Sequence, residues 1–439
     1  IFKVNVGAAV LGLGYIIGMK YAFIICCGSM LVWFIIIPGM NLIWGDQIID
    51  LMNTGIATAI GDMSPEMIFK SYARHIGIGG IAMAGVISII KSWRVIKSSV
   101  GLAANEFRGK KNADLQTDRT DTDLSMKAIV IGIIAVLVIS SLFFWFGVVH
   151  NVSHALIGIL VVAVISFLFT TVAANAIAIV GSNPVSGMTL MTLILASLVM
   201  VAAGLSGAQG MTAALIIGGV VCTALAVAGA FITDLKVGYW IGTTPKKQEI
   251  WKFVGVAVAA ATVAGVIMVL NKAYGFVGDD ALVAPQANAM SAVIEPMMSG
   301  GNAPWLLYAI GAALALILTI AKVPALPFAL GMFIPIDLNI PLLIGGAISW
   351  FVSTRSTDKK LNAARNNRGT LIASGFIAGG ALMGVVSAIL KFGNVDLVAK
   401  TADGSAFSET PLAGFIALLM YIALIAYMIW DSKRAKAEQ

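Results

Sequence analysis

Between Lys127 and Asp234 lie 106 consecutive residues without one Asp, Glu, Lys or Arg. A soluble domain has no place to hide so long an uncharged run. A bilayer-crossing helix needs roughly 20 apolar residues, so the run is long enough for about four crossings. Inside it sits the sequence GSNPVSGMT, residues 181–189. Asn183-Pro184 removes a backbone donor and turns the preceding residue away from helix, while Gly181 and Gly187 let other backbone come close. Freed amides and carbonyls in hydrocarbon must find partners, so a break of this kind belongs inside the protein or beside a polar cavity. The chain reads as an all-α polytopic membrane protein with broken helices.

The rest of the sequence agrees. It is 59% hydrophobic and 11% charged over 439 residues, with a mean hydropathy of +0.96. Ordinary globular chains carry about 25% charged residues, which excludes a soluble fold. The formal net charge of +7 does not indicate nucleic acid. The cations sit in short segments between apolar runs, where membrane orientation demands them, and no aromatic-basic platform accompanies them. Cys26, Cys27 and Cys222 lie in apolar runs without metal-ligand spacing and read as small buried hydrophobes. The first residue is Ile1, with no signal-peptide pattern before the first apolar run.

Apolar runs at 4–19, 21–43, 75–91, 127–149, 154–181, 186–204, 210–232, 251–270, 304–321, 370–391 and 411–430 predict helices. A short pair at 325–336 and 339–353 joins them, giving about 12–13 transmembrane or re-entrant helices in one domain spanning residues 1–439. Pro324, Pro327, Pro335 and Pro341 punctuate the short pair, so it predicts a helical hairpin or broken helix with 335–341 between its arms. Loop charge supports that count. The loop 93–126 reads as cytoplasmic, and with segment 91–127 on that side alternation places 22 of the 28 basic residues on the cytoplasmic side and 6 opposite. A single crossing through 325–353 would put Arg355, Lys359, Lys360, Arg365 and Arg368 on the wrong side. Trp44, Trp93, Trp251, Trp305, Trp350 and Trp430 fall near span ends, as an interfacial belt requires. The charge-rich segment 105–123 reads as a solvated connector, with an amphipathic helix on anionic lipid as the alternative.

Six segments carry more than hydrophobicity: GSNPVSGMT at 181–189, DLKVGYWIGTTPKKQ at 234–248, APQA at 284–287, NRGTLIASGFIAGGALMG at 367–384, GMFIP at 331–335 and RHIG at 74–77. Together, and in their order along nearly the whole chain, they resemble the oligopeptide transporter (OPT) family. The similarity is to its bacterial and yellow-stripe-like branch, which carries the NPVSGMT-type sequence. The KIPPR-type sequence of the eukaryotic peptide-transporting branch is absent. The resemblance implies proton-coupled uptake of small oligopeptides or of metal–chelate complexes, and leaves those two substrate classes open. It implies a multi-pass protein of the bacterial inner (plasma) membrane, for which a homo-oligomer is compatible. Complete members are longer, so it also implies that this chain lacks the first several helices.

Ser182, Asn183, Pro184, Ser186, Gly187 and Thr189 are the first candidates for substrate binding, set against a purely structural break. They supply uncharged donors and acceptors, and the helix starting near Ser186 presents an amino-terminal end that favours an anionic group such as a peptide carboxylate. Arg74 adds a bidentate carboxylate clamp or, alternatively, an interfacial anchor where the span 75–91 opens. His75 beside it titrates near neutrality when solvated. For proton coupling the charge-free block offers no acid, so the candidates are Glu295 and then Asp337. Glu295 lies in the apolar stretch 281–298, read as an outer connector that dips inward or stays exposed. Asp337 lies between the arms of the Pro-rich pair, either inside the membrane or at an outer tip. His150 and His154 share a helical spacing without a third ligand and read as structural. No catalytic residue, cofactor or metal-ligand set is read from the sequence. A channel and an intramembrane enzyme are the alternative classes. The first lacks a repeated charge ring or filter sequence, and the second lacks HExxH, GxSxG or a paired Ser/Lys or Asp/Asp arrangement.

Overall fold

The structure, a computed structural model, describes residues 4–51, 57–91, 93–94, 97–98, 101, 118–180, 185–276, 285–298, 304–395, 407 and 410–436. Its main elements are fourteen helices among the described residues: α1 (Ala8–Ile17), α2 (Met19–Trp44), α3 (Pro65–Lys91), α4 (Met126–Val149), α5 (Val152–Val180), α6 (Val185–Ala202) and α7 (Gly207–Ile241), then α8 (Pro245–Tyr274), α9 (Pro285–Met298), α10 (Trp305–Ile320), α11 (Ala325–Phe333), α12 (Ile336–Thr354), α13 (Lys359–Phe392) and α14 (Pro411–Lys433). The described residues contain no strand. Nine of these helices are long and apolar enough to cross a bilayer. The protein is an all-α, multi-pass membrane protein.

Several helices outrun their apolar cores. α7 continues past Thr233 through Asp234 and Lys236 to Ile241, and α8 restarts at Pro245 after a turn at Gly242. The expected loop 233–252 is therefore two helix ends and a short turn. Gly242 closes α7 with φ 69°, a left-handed conformation that glycine adopts without a Cβ clash. The end of the connector before α4 is pinned to this turn. Arg119 Nη1 donates to Gly242 O at 2.9 Å, Lys246 N to Thr122 O at 2.9 Å, and Leu124 N to Glu249 Oε2 at 2.7 Å. Most of 93–126 lies outside the described residues. The stretch 281–298 departs from its expected role as an outer connector: Pro285–Met298 is a helix with Ile294 and Met298 buried beside Met200, Leu205 and Ala214. Its mixed composition hid that periodicity.

The Pro-rich pair is a re-entrant hairpin. Phe333, Ala329 and Ala325 of α11 lie against Gly77, Gly80 and Ala84 of α3 in that order, so α11 climbs from the Lys91 end of α3 to its middle. α12 then descends along α2, with Asn339 bonded to Ser29 and Gly346 against Ala22 and Met19. α2 packs into the angle between the two arms. Close approach is set by small residues. A Cβ added at Gly28 would run into Phe328 O, one at Gly331 into Ile25 O, and one at Gly311 into Ile76 O.

The break itself is narrower than 335–341. Only Ile334 and Pro335 separate the arms, and Pro341 lies inside α12. Each proline removes an N–H, which leaves the carbonyl four residues earlier without its helical donor. For Pro335 that carbonyl is Gly331 O, and Asn339 Nδ2 donates to it at 3.2 Å. For Pro341 it is Asp337 O, and Asn5 N donates to it at 3.0 Å. Asn339 Nδ2 also reaches Ile334 O at 3.1 Å and Ser29 Oγ at 2.8 Å, while Ser29 Oγ donates to Ile334 O at 3.2 Å. Asn339 and Ser29 are fully buried.

Asn339→Ala strands the Gly331 carbonyl, whereas Ser29→Ala strands neither carbonyl because Asn339 covers both. The expected cost is about 1–3 kcal/mol for Asn339→Ala and under about 1 kcal/mol for Ser29→Ala. Thermal or denaturant unfolding of the purified protein in detergent measures this, and equal losses would contradict the carbonyl relay.

Candidate transport site at the re-entrant tip

Arg74 does not open a span. It sits inside the continuous 27-residue α3, which starts at Pro65 with Ser64 Oγ accepting from Met67 N. The polar stretch 65–73 disguised that extra helix in the sequence. Directly before Arg74, Phe69–Ala73 forms a π turn, and α2 carries its own π turn at Leu31–Ile36. The two turns face each other, with the Trp33 and Phe69 rings stacked at 5.3 Å. A π turn inserts one residue into the helical register and re-aims the side chains that follow it. Here it places the Arg74 guanidinium between two rings, 5.4 Å from the centroid of Phe69 and 5.5 Å from that of Phe333 at the hairpin tip.

This setting stabilises a cation without neutralising it. The ring faces attract a guanidinium, yet Arg74 has no carboxylate partner among the described residues. Arg74 Nε is buried without a hydrogen-bond partner, and so are His75 Nδ1, Tyr308 OH and Trp33 Nε1. His75 is 2% exposed, with its ring 5.9 Å from that of Tyr308. Buried donors left without partners in one neighbourhood are uncommon and costly. Four such groups lie around the tip.

The other candidate elements meet here through an apolar cluster. Ile78 and Ile81 of α3, Ala329 and Phe333 of α11, Ile194 of α6, and Met290 and Met297 of α9 pack together. α6 thereby carries Ser186, Gly187 and Thr189 in its first turns, while Ser182, Asn183 and Pro184 fall outside the described residues. Helix is present from Val185 onward, so 185–189 is not broken backbone as expected, and the remainder of that expectation, 181–184, lies outside the described residues. The 29-residue α5 and 18-residue α6 meet where His154 Nε2 contacts Ala203 O at 3.0 Å. The shorter helix therefore begins well short of the far end of α5.

Glu295 is exposed on the protein surface of α9 and lines a pocket of about 420 Å³ with Met211, Leu215, Met290, Ser291 and Ile294. Asp337 lies in the first turn of α12, not between the arms. It is half-buried at the level of Ser29, so the tip that carries it stands at mid-helix depth and not at an outer surface. Gln209 Nε2 donates to Val149 O at 3.1 Å, and His150 caps α4 in a left-handed conformation with φ 53°. Both histidines of the 150–154 pair thus serve helix ends. Trp33, Phe69, Tyr308, Ser29 and Asn339 were not singled out from the sequence, and Phe333 only as part of GMFIP at 331–335. Only Asn339, two residues before a helix-breaking proline, carried a readable signal.

Paired cysteines test the placement of the tip. A Cβ at Gly80 comes 3.0 Å from Ala329 Cβ, closer than the usual disulfide separation of about 3.5–4.5 Å, so a small outward shift brings the pair into bonding range. With Cys26, Cys27 and Cys222 replaced by Ala, the Gly80→Cys/Ala329→Cys variant should lose both free thiols under mild oxidation. A Gly39→Cys/Ala329→Cys control should keep them. Persistent thiols in the first pair would move the hairpin off α3.

Comparison with known proteins converges on the same reading. A Haemophilus influenzae protein named "Putative oligopeptide transporter" is 27% identical over 223 residues, which is 45% of this chain and 34% of the relative. The chain thus spans about a third of the length of the relative it matches. The family model described as OPT oligopeptide transporter protein matches residues 1–391. With that match running through α3, the re-entrant tip and α13, the chain belongs to the OPT oligopeptide transporter family.

Proposed function

We propose that this chain forms part of a proton-coupled importer of small oligopeptides, with the peptide carboxylate bound at Arg74. The observation that carries the reading is a guanidinium held between Phe69 and Phe333, among orphaned polar groups, without an acid among the described residues. A charge at mid-bilayer depth is expensive and persists where it has a task. A substrate carboxylate supplies the missing anion and two acceptors for a bidentate contact. Trp33, Tyr308 and His75 offer further donors around it, and the start of α6 favours the same sign of charge. Membership of an oligopeptide transporter family and the name of the bacterial relative support the substrate class. A metal–chelate cargo has no separate support in this geometry.

In this reading the basic end of the bundle faces the cytoplasm, in keeping with the positive-inside rule. The proton is carried by a carboxyl group that crosses neutral and releases on the other side. Asp337, at the depth of the tip, is better placed for that than Glu295, which lines its own pocket. This reading keeps the sequence motif that contains Asn183 and Gly187 as part of the substrate path.

Arg74→Gln should lower uptake of a labelled dipeptide into proteoliposomes about 10-fold or more, the equivalent of a lost charge-assisted hydrogen bond worth about 1.5–3 kcal/mol. Arg74→Lys should retain part of the activity, and melting temperature should hold in both. Wild-type uptake by a normally folded Arg74→Gln protein would sink the assignment. Asp337→Asn should abolish accumulation driven by a pH gradient while leaving substrate exchange intact. The same phenotype in Glu295→Gln alone would transfer the proton to α9. Asn183→Ala and Gly187→Leu should each reduce transport more than expression.

A further inference from the structure

Far from the tip, the basic end holds a feature that peptide transport does not use. Where α13 begins and α14 ends, Lys360, Asn367, Arg368, Leu371, Arg434 and Lys436 line an open cavity of about 760 Å³. The positive-inside rule accounts for the number of cations at this end, but not for their convergence on one cavity. Lys360, Asn367, Arg368 and Leu371 recur at helical spacing on one side of α13. Arg434 and Lys436 arrive from the chain just past α14.

The rim is held in place. Asp431 accepts from Arg368 through two bonds, Nε to Oδ2 at 2.9 Å and Nη2 to Oδ1 at 2.7 Å, and lies 3.7 Å from Arg434 Nη1. Asp358 also stands at the start of α13, where its carboxylate accepts from Lys360 N at 2.9 Å, so two carboxylates face four cations, and the described lining residues include no acid. The Arg434 guanidinium rests 4.7 Å over the ring of Trp430, which is exposed and beside Tyr427. Exposed tryptophan and tyrosine at a span end mark the headgroup level of a bilayer. Leu371, 73% exposed, continues the cavity toward the apolar faces of α13 and α14.

We propose that this cavity binds the phosphodiester headgroup of an anionic phospholipid, with its acyl chains lying along α13 and α14. A phosphate oxygen pair suits the free edge of an arginine and the lysine ammonium groups. Basic pockets between helices at this level have the form required for such headgroups. Free phosphate has the same charge, but it makes no use of the apolar surface beneath the rim. A bound lipid stabilises the α13–α14 contact, because any ligand of the folded state does so by mass action.

The test uses the purified full chain in detergent. Short-chain phosphatidylglycerol should raise its melting temperature saturably, while phosphatidylcholine and inorganic phosphate at equal concentration should not. Lys360→Gln/Lys436→Gln should melt normally without lipid and bind phosphatidylglycerol at least tenfold more weakly, with Lys360→Arg/Lys436→Arg restoring the response. In the unaltered chain the gain should shrink as salt rises. Equal protection of the Gln variant, or a salt-independent gain in the unaltered chain, would overturn the site. An equal gain from inorganic phosphate would overturn its assignment to lipid.

Discussion

Everything at the centre of this protein depends on two carbonyls that prolines have deprived of their donors. In hydrocarbon an unpaired peptide carbonyl has no water to turn to, so a proline inside a membrane helix is tolerable only where another element supplies a hydrogen. Pro335 vacates Gly331 O, and the Asn339 amide fills it from the opposite arm of the hairpin. Pro341 vacates Asp337 O, and the extended backbone at Asn5 fills it. The same residues that break the helix thus dictate which neighbours must stand beside the break. α2 enters because Ser29 completes the network, and its glycine at position 28 lets it come close enough to do so.

That dependence explains why the hairpin was legible in the sequence while its detail was not. Four prolines in 28 residues rule out a straight helix, and the cations after residue 353 require both arms to return to the side they came from. Those are local and global constraints that a single sequence carries openly. Whether Pro341 falls in the gap or inside a helix is decided by a donor 336 positions away in the chain, at Asn5. No local pattern encodes it. The helix Pro285–Met298 escaped for a related reason. It buries Ile294 and Met298 against neighbours that only the fold assembles, and its sequence contains Pro296 and Glu295.

The candidate site divides in the same way. Arg74 was visible as a charge in an apolar setting, but the polar residues before it suggested a span end, and an arginine at a span end is an anchor. The structure extends the helix to Pro65 and turns the same residue into a mid-helix cation. Its ring partners come from two elements, Phe69 through a π turn and Phe333 through the re-entrant tip. A π turn is a backbone event with no sequence signature of its own. The stacking of Trp33 on Phe69 follows from the facing turn in α2, equally unreadable beforehand.

Two arginines in this molecule contrast a charge met by a carboxylate with one met only by rings. Arg368 meets Asp431 through two short hydrogen bonds near the basic end, where the ion pair satisfies itself and fastens α13 to α14. Removing one partner would leave the other exposed to its surroundings but close to water. Arg74 lies in the interior half of α3, attracted by two ring faces that soften the cost of its charge without cancelling it. Rings cannot accept the guanidinium hydrogen bonds in the plane where they point, so Nε stays without a partner. A structural role would have been served better by a carboxylate on α2 or α11, both within reach of the same rings. The residues actually present hold the cation in place and leave its Nε without a partner. That combination favours a group that comes and goes over one that stays.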